Sequence, residues 1–223
     1  AEDILSKGYD DVLDAIGKVP QSFVQTTPKG TRGVSSEVSA IANDPDLALS
    51  DVARTRLMNV VKMQFSRPGI DKMTGEMEAD LAKRIDSTIG RLARENSASA
   101  SADDRSLGLA LRALQGQWRD AIRAAAPDAA TAARLDDLNA AYANFVRTER
   151  AASYVGTKEG VFSPSQLQTA VKAGDTSVRH KAFAEGRALG QDLSEPAKAV
   201  LGNTVADSGT PGRLLVDALM LKG

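Results

Sequence analysis

From Glu2 to Gly17 the apolar residues Ile4, Leu5, Tyr9, Val12, Leu13 and Ile16 recur at helical spacing, and Gly17 with Pro20 ends the run. This predicts a short amphipathic helix. Gln21 to Gly33, with Thr26-Thr27-Pro28 and its glycines, predicts an extended connector. A second short helix is expected near Ser35 to Ala42, stopped by Asn43-Asp44-Pro45. Ser50 should cap a third that carries Val52, Leu57, Val60, Val61 and Phe65, and Arg67-Pro68-Gly69 breaks it. The middle of the chain has longer seams. Met77, Leu81, Ile85, Thr88 and Leu92 follow a 4-4-3-4 spacing, Leu107, Leu111, Leu114, Trp118 and Ala121 follow 4-3-4-3, and Leu135, Leu138, Tyr142, Phe145 and Ala152 follow 3-4-3-7. Such seams predict three long helices of coiled-coil type. The breaks at Asn96 to Ser101 and at Pro127-Asp128 are short, so consecutive helices should run antiparallel. The expected core is Leu81, Ile85, Leu111, Leu114, Trp118, Leu138, Tyr142 and Phe145.

Beyond residue 159 the turn chemistry is dense. Ser163-Pro164-Ser165-Gln166 combines an N-cap, a proline at the first helical position and a capping-box partner. The helix it starts should end near Gly174. Asp175 should open another, with Val178, Ala182, Leu189 and Leu193 at helical spacing and with Gly186 and Gly190 one turn apart inside it. Two glycines within a helix cost about 1 kcal/mol each relative to alanine, so close approach of a neighbouring helix or a ligand contact is expected there. Pro196 should interrupt or restart the helix. Gly202-Asn203 and Asp207-Ser208-Gly209 should follow as turns, and Thr210-Pro211 should cap a last helix. The expected organisation is an all-α, elongated antiparallel helical bundle with flanking short helices. Residues 1–70 form a short-helix region, 71–159 the long-helix bundle and 160–223 a region of capped helices.

Composition sharpens this fold class. Apolar residues make up 42% but aromatics only 4%, which suits close helix-on-helix contact and not a sandwich or barrel. Charge is nearly balanced, with 28 basic and 29 acidic residues, so the whole surface offers no general attraction to phosphate or anionic lipid. No sequence-specific nucleic-acid partner is expected. The local basic run Lys83, Arg84, Arg91 and Arg94 reads as a solvated helix face. With no cysteine there is no disulfide framework, thiolate nucleophile or cysteine metal site.

Catalytic chemistry finds little footing. His180 is the sole histidine and lies between Arg179 and Lys181, which fits an exposed idle side chain or, alternatively, a pH sensor. Pro28-Lys29-Gly30-Thr31-Arg32-Gly33 lacks the spacing of a phosphate loop. Glu37, Glu76 and Glu95 sit in polar contexts, without the apolar pocket and facing carboxylate that glycoside hydrolysis requires. No catalytic residue, cofactor or metal is therefore expected, and Trp118 reads as core.

A resemblance adds what these patterns do not carry. The runs LNAAYANFVRTERAA, GVFSPSQLQTAVKAGDTSVRHKAFAEGRALGQDLSE and VLGNTVADSGTPGRLL resemble segments of phage- and prophage-encoded helical virion proteins of the DNA-ejection, internal-core or DNA-transfer type. The likeness covers roughly Leu107 to Leu215. It implies a non-catalytic structural component of a bacteriophage virion, made in the bacterial host cytoplasm. The partners it implies are other virion proteins or further copies of the chain. A cytoplasmic helical adaptor or scaffold, and the non-catalytic flank of a peptidoglycan hydrolase, are the other readings. A start without methionine and an end inside an apparent helix are what a piece of a longer chain would show.

Leu214 to Leu221 is apolar at seven of eight positions, and Leu214, Leu215, Leu219 and Met220 form the candidate interaction face. Eight helical residues cover about 12 Å, too little to span a bilayer core of about 30 Å. In the proteins it resembles, the chain continues into an apolar region rich in glycine and alanine, which implies membrane contact through that continuation. The segment is expected to act as an assembly or membrane-directed hinge, with docking onto its own bundle as the alternative. Removing residues 211–223 separates the two. Unchanged thermal stability with lost self-association or liposome binding indicates the hinge, whereas a large fall in melting temperature makes the segment core.

Overall fold

Serine caps set several element boundaries in the computed structural model, which describes residues 2–26, 32–154, 162–175 and 181–201. Among these residues the chain is predominantly helical. Helix α1 spans Glu2–Ile16 and ends where Gly17 takes a left-handed φ of 68°. Helix α2 (Ser36–Ala42) begins at Ser35, whose hydroxyl accepts from the Val38 amide. Helix α3 (Asp51–Gln64) begins at Ser50, which accepts from the Ala53 amide. The long helices are α4 (Ala79–Ser97), α5 (Ala102–Ala124, capped by Ser101) and α6 (Ala129–Ala152). After them come α7 (Pro164–Gly174), α8 (Lys181–Ala184) and α9 (Gln191–Leu201).

Four three-residue strands interrupt the all-helical expectation. Strand β1 (Lys18–Pro20) pairs antiparallel with β4 (Glu76–Glu78), and β2 (Val24–Thr26) with β3 (Arg32–Val34). The expected connector is therefore partly a strand pair. Its backbone groups need partners where Phe23 and Val24 are buried, and pairing supplies them. Between β1 and β4 the ladder continues in both directions: Gln21 N donates to Gly75 O at 3.1 Å and Ala79 N donates to Gly17 O at 2.8 Å.

The contacts group the chain into two compact units, Ser6–Leu135 and Ala1–Leu5 with Asp136–Gly223. This division falls elsewhere than at residues 70 and 159. The β1–β4 pairing and the packing of α3 on α5 tie the short-helix region to the long helices.

Within Ser6–Leu135 the core is the antiparallel α4–α5 hairpin with α3 laid against α5. Leu107, Leu111, Leu114, Trp118 and Ile122 are buried on α5, close to the expected seam. On α4 the buried face is rotated from that seam. Ala82, Ile85, Asp86, Ile89, Gly90 and Ala93 point inward, while Leu81, Thr88 and Leu92 are half-buried. Small residues face α5 because the helices run very close. A Cβ on Gly108 would lie 2.7 Å from the Ser97 backbone nitrogen and 3.0 Å from Ala93 O, and one on Gly90 would lie 2.5 Å from Gln115 Nε2. Trp118 is completely buried. Its Nε1 donates to Ala82 O at 3.0 Å, and its ring meets Phe65 and Phe23 edge-on at centroid distances of 4.9 and 5.7 Å. Leu138, Tyr142 and Phe145 belong to the other unit, where Tyr142 is half exposed.

In that second unit α7 packs on α9, and Lys198 Nζ donates to Gln168 Oε1 at 2.9 Å. The capping box at Ser163 forms as expected, with the Ser163 amide donating to Gln166 Oε1 and the Gln166 amide to Ser163 Oγ. The single helix expected beyond Asp175 does not form: α8 closes at Ala184. Gly186, at φ 73°, completes a Schellman ending in which its own amide donates to Phe183 O and the Arg187 amide to Ala182 O. Gly190, at φ 81°, lies before α9, where a Cβ would approach Val171 and Asn144. Left-handed backbone at both glycines, and not close approach of a neighbouring helix, replaces the interior-helix account. Pro196 lies inside α9 and does not end it.

Trp118→Ala should lower unfolding free energy by about 3–5 kcal/mol in chemical denaturation. The two kinds of α5 glycine should respond oppositely. Gly108→Ala should destabilise by about 1–3 kcal/mol through backbone overlap. Gly116→Ala, with nothing within 4 Å of the added methyl, should stabilise by about 0.5–1 kcal/mol.

Candidate functional site

The turn Arg67-Pro68-Gly69, which ends α3, also starts the wall of a cleft. Ile70 N donates to Arg67 O at 3.3 Å, and Gly69 has a φ of 95° that favours glycine. The chain then folds around Asp71. Its Oδ1 accepts from the Met73 amide at 2.7 Å and the Thr74 amide at 2.8 Å, while its carbonyl accepts from the Gly75 amide at 3.0 Å. This Asx turn returns the chain to β4, where Asp71 N donates to Glu76 O and Met77 sits between Val19 and Ile70. Gly75, at φ 75°, is pressed against Gln21, and a Cβ there would lie 2.8 Å from Gln21 O.

The opposite wall comes from Gln21, Val24 and Gln25. Together they enclose a cleft of about 970 Å³, large enough for a small ligand or a short peptide segment. Pro68 and Ile70 supply apolar surface, and Arg67 and Lys72 supply positive charge. The two amides that Asp71 accepts hold its carboxyl below the usual carboxylate range, with Lys18 adding a smaller pull in the same direction. The acid is therefore committed to the loop backbone. Ser66 Oγ is buried with no hydrogen-bond partner among the described residues, and the only histidine, His180, lies outside them, so no imidazole among them can activate it. What the arrangement offers is recognition of an anionic, partly apolar group.

A second cluster is structural. Asp86 is buried between α4 and α5, with Gln115 Nε2 donating to its Oδ1 at 2.9 Å and Arg119 Nε at 2.7 Å. Lys83 Nζ lies 3.6 Å from Oδ2 and 4.5 Å from the Tyr9 ring centroid. Burial pushes the Lys83 ammonium below its usual pKa, and Asp86 opposes that shift. The basic run is thus divided, since Lys83 serves the helix contact and Arg91 pairs with Glu95 at 2.7 Å.

The other residues weighed for chemistry are scattered. Glu37 accepts from the Ser22 hydroxyl, Glu95 from Arg91, and Glu76 lies in β4. Leu214, Leu215, Leu219 and Met220 lie outside the described residues. Among those described, no group of three or more acidic or histidine side chains could hold a metal ion, and no helix is long and apolar enough to cross a membrane. No family model, curated protein or solved structure matches the chain. The cleft was only half visible in the sequence. Arg67-Pro68-Gly69 marks a turn, and Asp71 followed by Thr74-Gly75 is turn chemistry too, but the second wall lies more than forty residues earlier.

Because its folded pKa is depressed, Asp71 contributes loop order fully above its unfolded pKa, and the contribution is lost as pH falls through the lower folded value. A carbon-detected NMR titration should place this carboxyl below the usual aspartate range. Asp71→Ala should accelerate hydrogen exchange at the Met73 and Thr74 amides at fixed pH.

Proposed function

We propose that the chain is a non-catalytic structural segment of a bacteriophage virion protein, of the internal or ejection type that helps deliver DNA into the host. The observation that carries this reading is the resemblance of the runs beginning at Leu138, Gly160 and Val200 to such proteins. The helical architecture is compatible with it. The interior of Ser6–Leu135 is given over to helix-on-helix contact around Trp118, and Glu37 and Glu95 are held in surface hydrogen bonds. In the same reading the long helices extend in the assembled protein into an elongated antiparallel bundle with coiled-coil seams. The partners are other virion proteins or further copies of the chain, and the Leu214, Leu215, Leu219 and Met220 face joins them or leads toward a membrane.

The test is made on particles. Mass spectrometry of purified virions should recover peptides of this chain, and particles assembled without the gene should adsorb but deliver less DNA. Recovery only from host cytoplasm would favour a helical adaptor. Clearing of peptidoglycan in a zymogram by the isolated chain, abolished by changing one of its glutamates, would make it an enzyme.

A further inference from the structure

The outer edge of β2 is occupied by a side chain that imitates a strand. Ser35 N donates to Phe23 O at 3.0 Å, so Val24 and Val34, one residue along, form the non-hydrogen-bonded pair of the antiparallel ladder. The N–H and C=O of Val24 therefore point away from β3, toward the cleft. Both are taken by one primary amide: Val24 N donates to Gln21 Oε1 at 2.9 Å, and Gln21 Nε2 donates to Val24 O at 3.0 Å. An amide giving one donor and one acceptor to the same residue reproduces what the backbone of an adjacent strand gives. Gln21 is a flexible side chain, so a peptide strand can replace it, bond for bond, with little net change in hydrogen bonding.

The surroundings say what kind of strand would gain by doing so. Arg67 and Lys72 line the same cleft, and neither makes an ion pair among the described residues. The one carboxylate in the lining, Asp71, is committed to the Met73 and Thr74 amides. Pro68 and Ile70 give apolar surface beside the two cations. We propose that this cleft takes an extended acidic peptide segment, which adds to the edge of β2, displaces the Gln21 amide from Val24 and sets its carboxylates against Arg67 and Lys72. A nucleic-acid strand would satisfy the cations but has no backbone amide to offer Val24. The inference stands apart from the virion reading, because it rests on the geometry of β2 and its cleft.

Fluorescence anisotropy of the intact chain with a short labelled peptide alternating valine and glutamate tests it. Saturable binding is expected, weakened about tenfold or more by the Arg67→Glu, Lys72→Glu double variant. Gln21→Ala should tighten binding, because the displaced amide no longer competes, whereas simple charge attraction would leave affinity unchanged. Circular dichroism confirms that each variant keeps its helical content, and Lys72→Glu alone, at an exposed position, gives a milder second measure of the charge effect. Absence of saturable binding, equal binding by the charge-reversed variants, loss of affinity in Gln21→Ala, or equal affinity for a single-stranded oligonucleotide would each overturn the proposal.

Discussion

The α4–α5 hairpin meets backbone to backbone at Gly108, and the Ser6–Leu135 unit depends on that approach. Gly108 lies against the Ser97 backbone and the Ala93 carbonyl, and Ala82 presents its own carbonyl to the Trp118 indole. A side chain at Gly108 would part the helices there, and a shift at Ala82 would strand the indole N–H without an acceptor. The indole is also the centre from which α3 and the early strands are placed, since Phe65 and Phe23 pack on it from separate parts of the chain.

Asp86 fixes the register of the same pair of helices. A carboxylate taken out of water is tolerable only when several donors reach it, and Gln115 and Arg119 do so from successive turns of α5. A slip of one turn would carry one of these two donors out of reach. Apolar contact would accept several registers of alanine against leucine. The polar contact is fully satisfied in one.

The strand pairs convert this helical core into a scaffold for the cleft. Gly17 to Gln21 runs beside Gly75 to Ala79, so the loop that closes at Gly75 is tied at its base to the end of α1. The Asx turn at Asp71 then holds the loop open as a wall, where a run of apolar residues would have collapsed it onto Phe65. Flexibility is left to side chains: Gln21, Arg67 and Lys72 stand on a braced backbone. That division suits recognition of an extended segment, because the hydrogen-bonding edge is positioned before any partner arrives.

Much of this was legible in the residues alone, wherever the cause is local. Ser50 and Ser163 cap helices because a hydroxyl beside free amides needs no distant partner, and Trp118 falls in a seam that can only face inward. The glycines at 186 and 190 were visible too, but as helix interior, because spacing does not report the sign of φ. Other features were decided in three dimensions. The inward face of α4 took in Ala82 and Ala93 beside Ile85 and Ile89 and left Leu81 and Leu92 half-buried, because the side it turns inward is set by where α5 lies. Likewise β1 found β4, and Gln21 came to lie against the loop at Gly75, through contacts between stretches far apart in the chain. By itself the sequence determined the helix starts at Ser50 and Ser163 and that an indole would be buried. Which faces meet, and the cleft they leave, came only from tertiary packing, because close approach and edge pairing are properties of two segments at once.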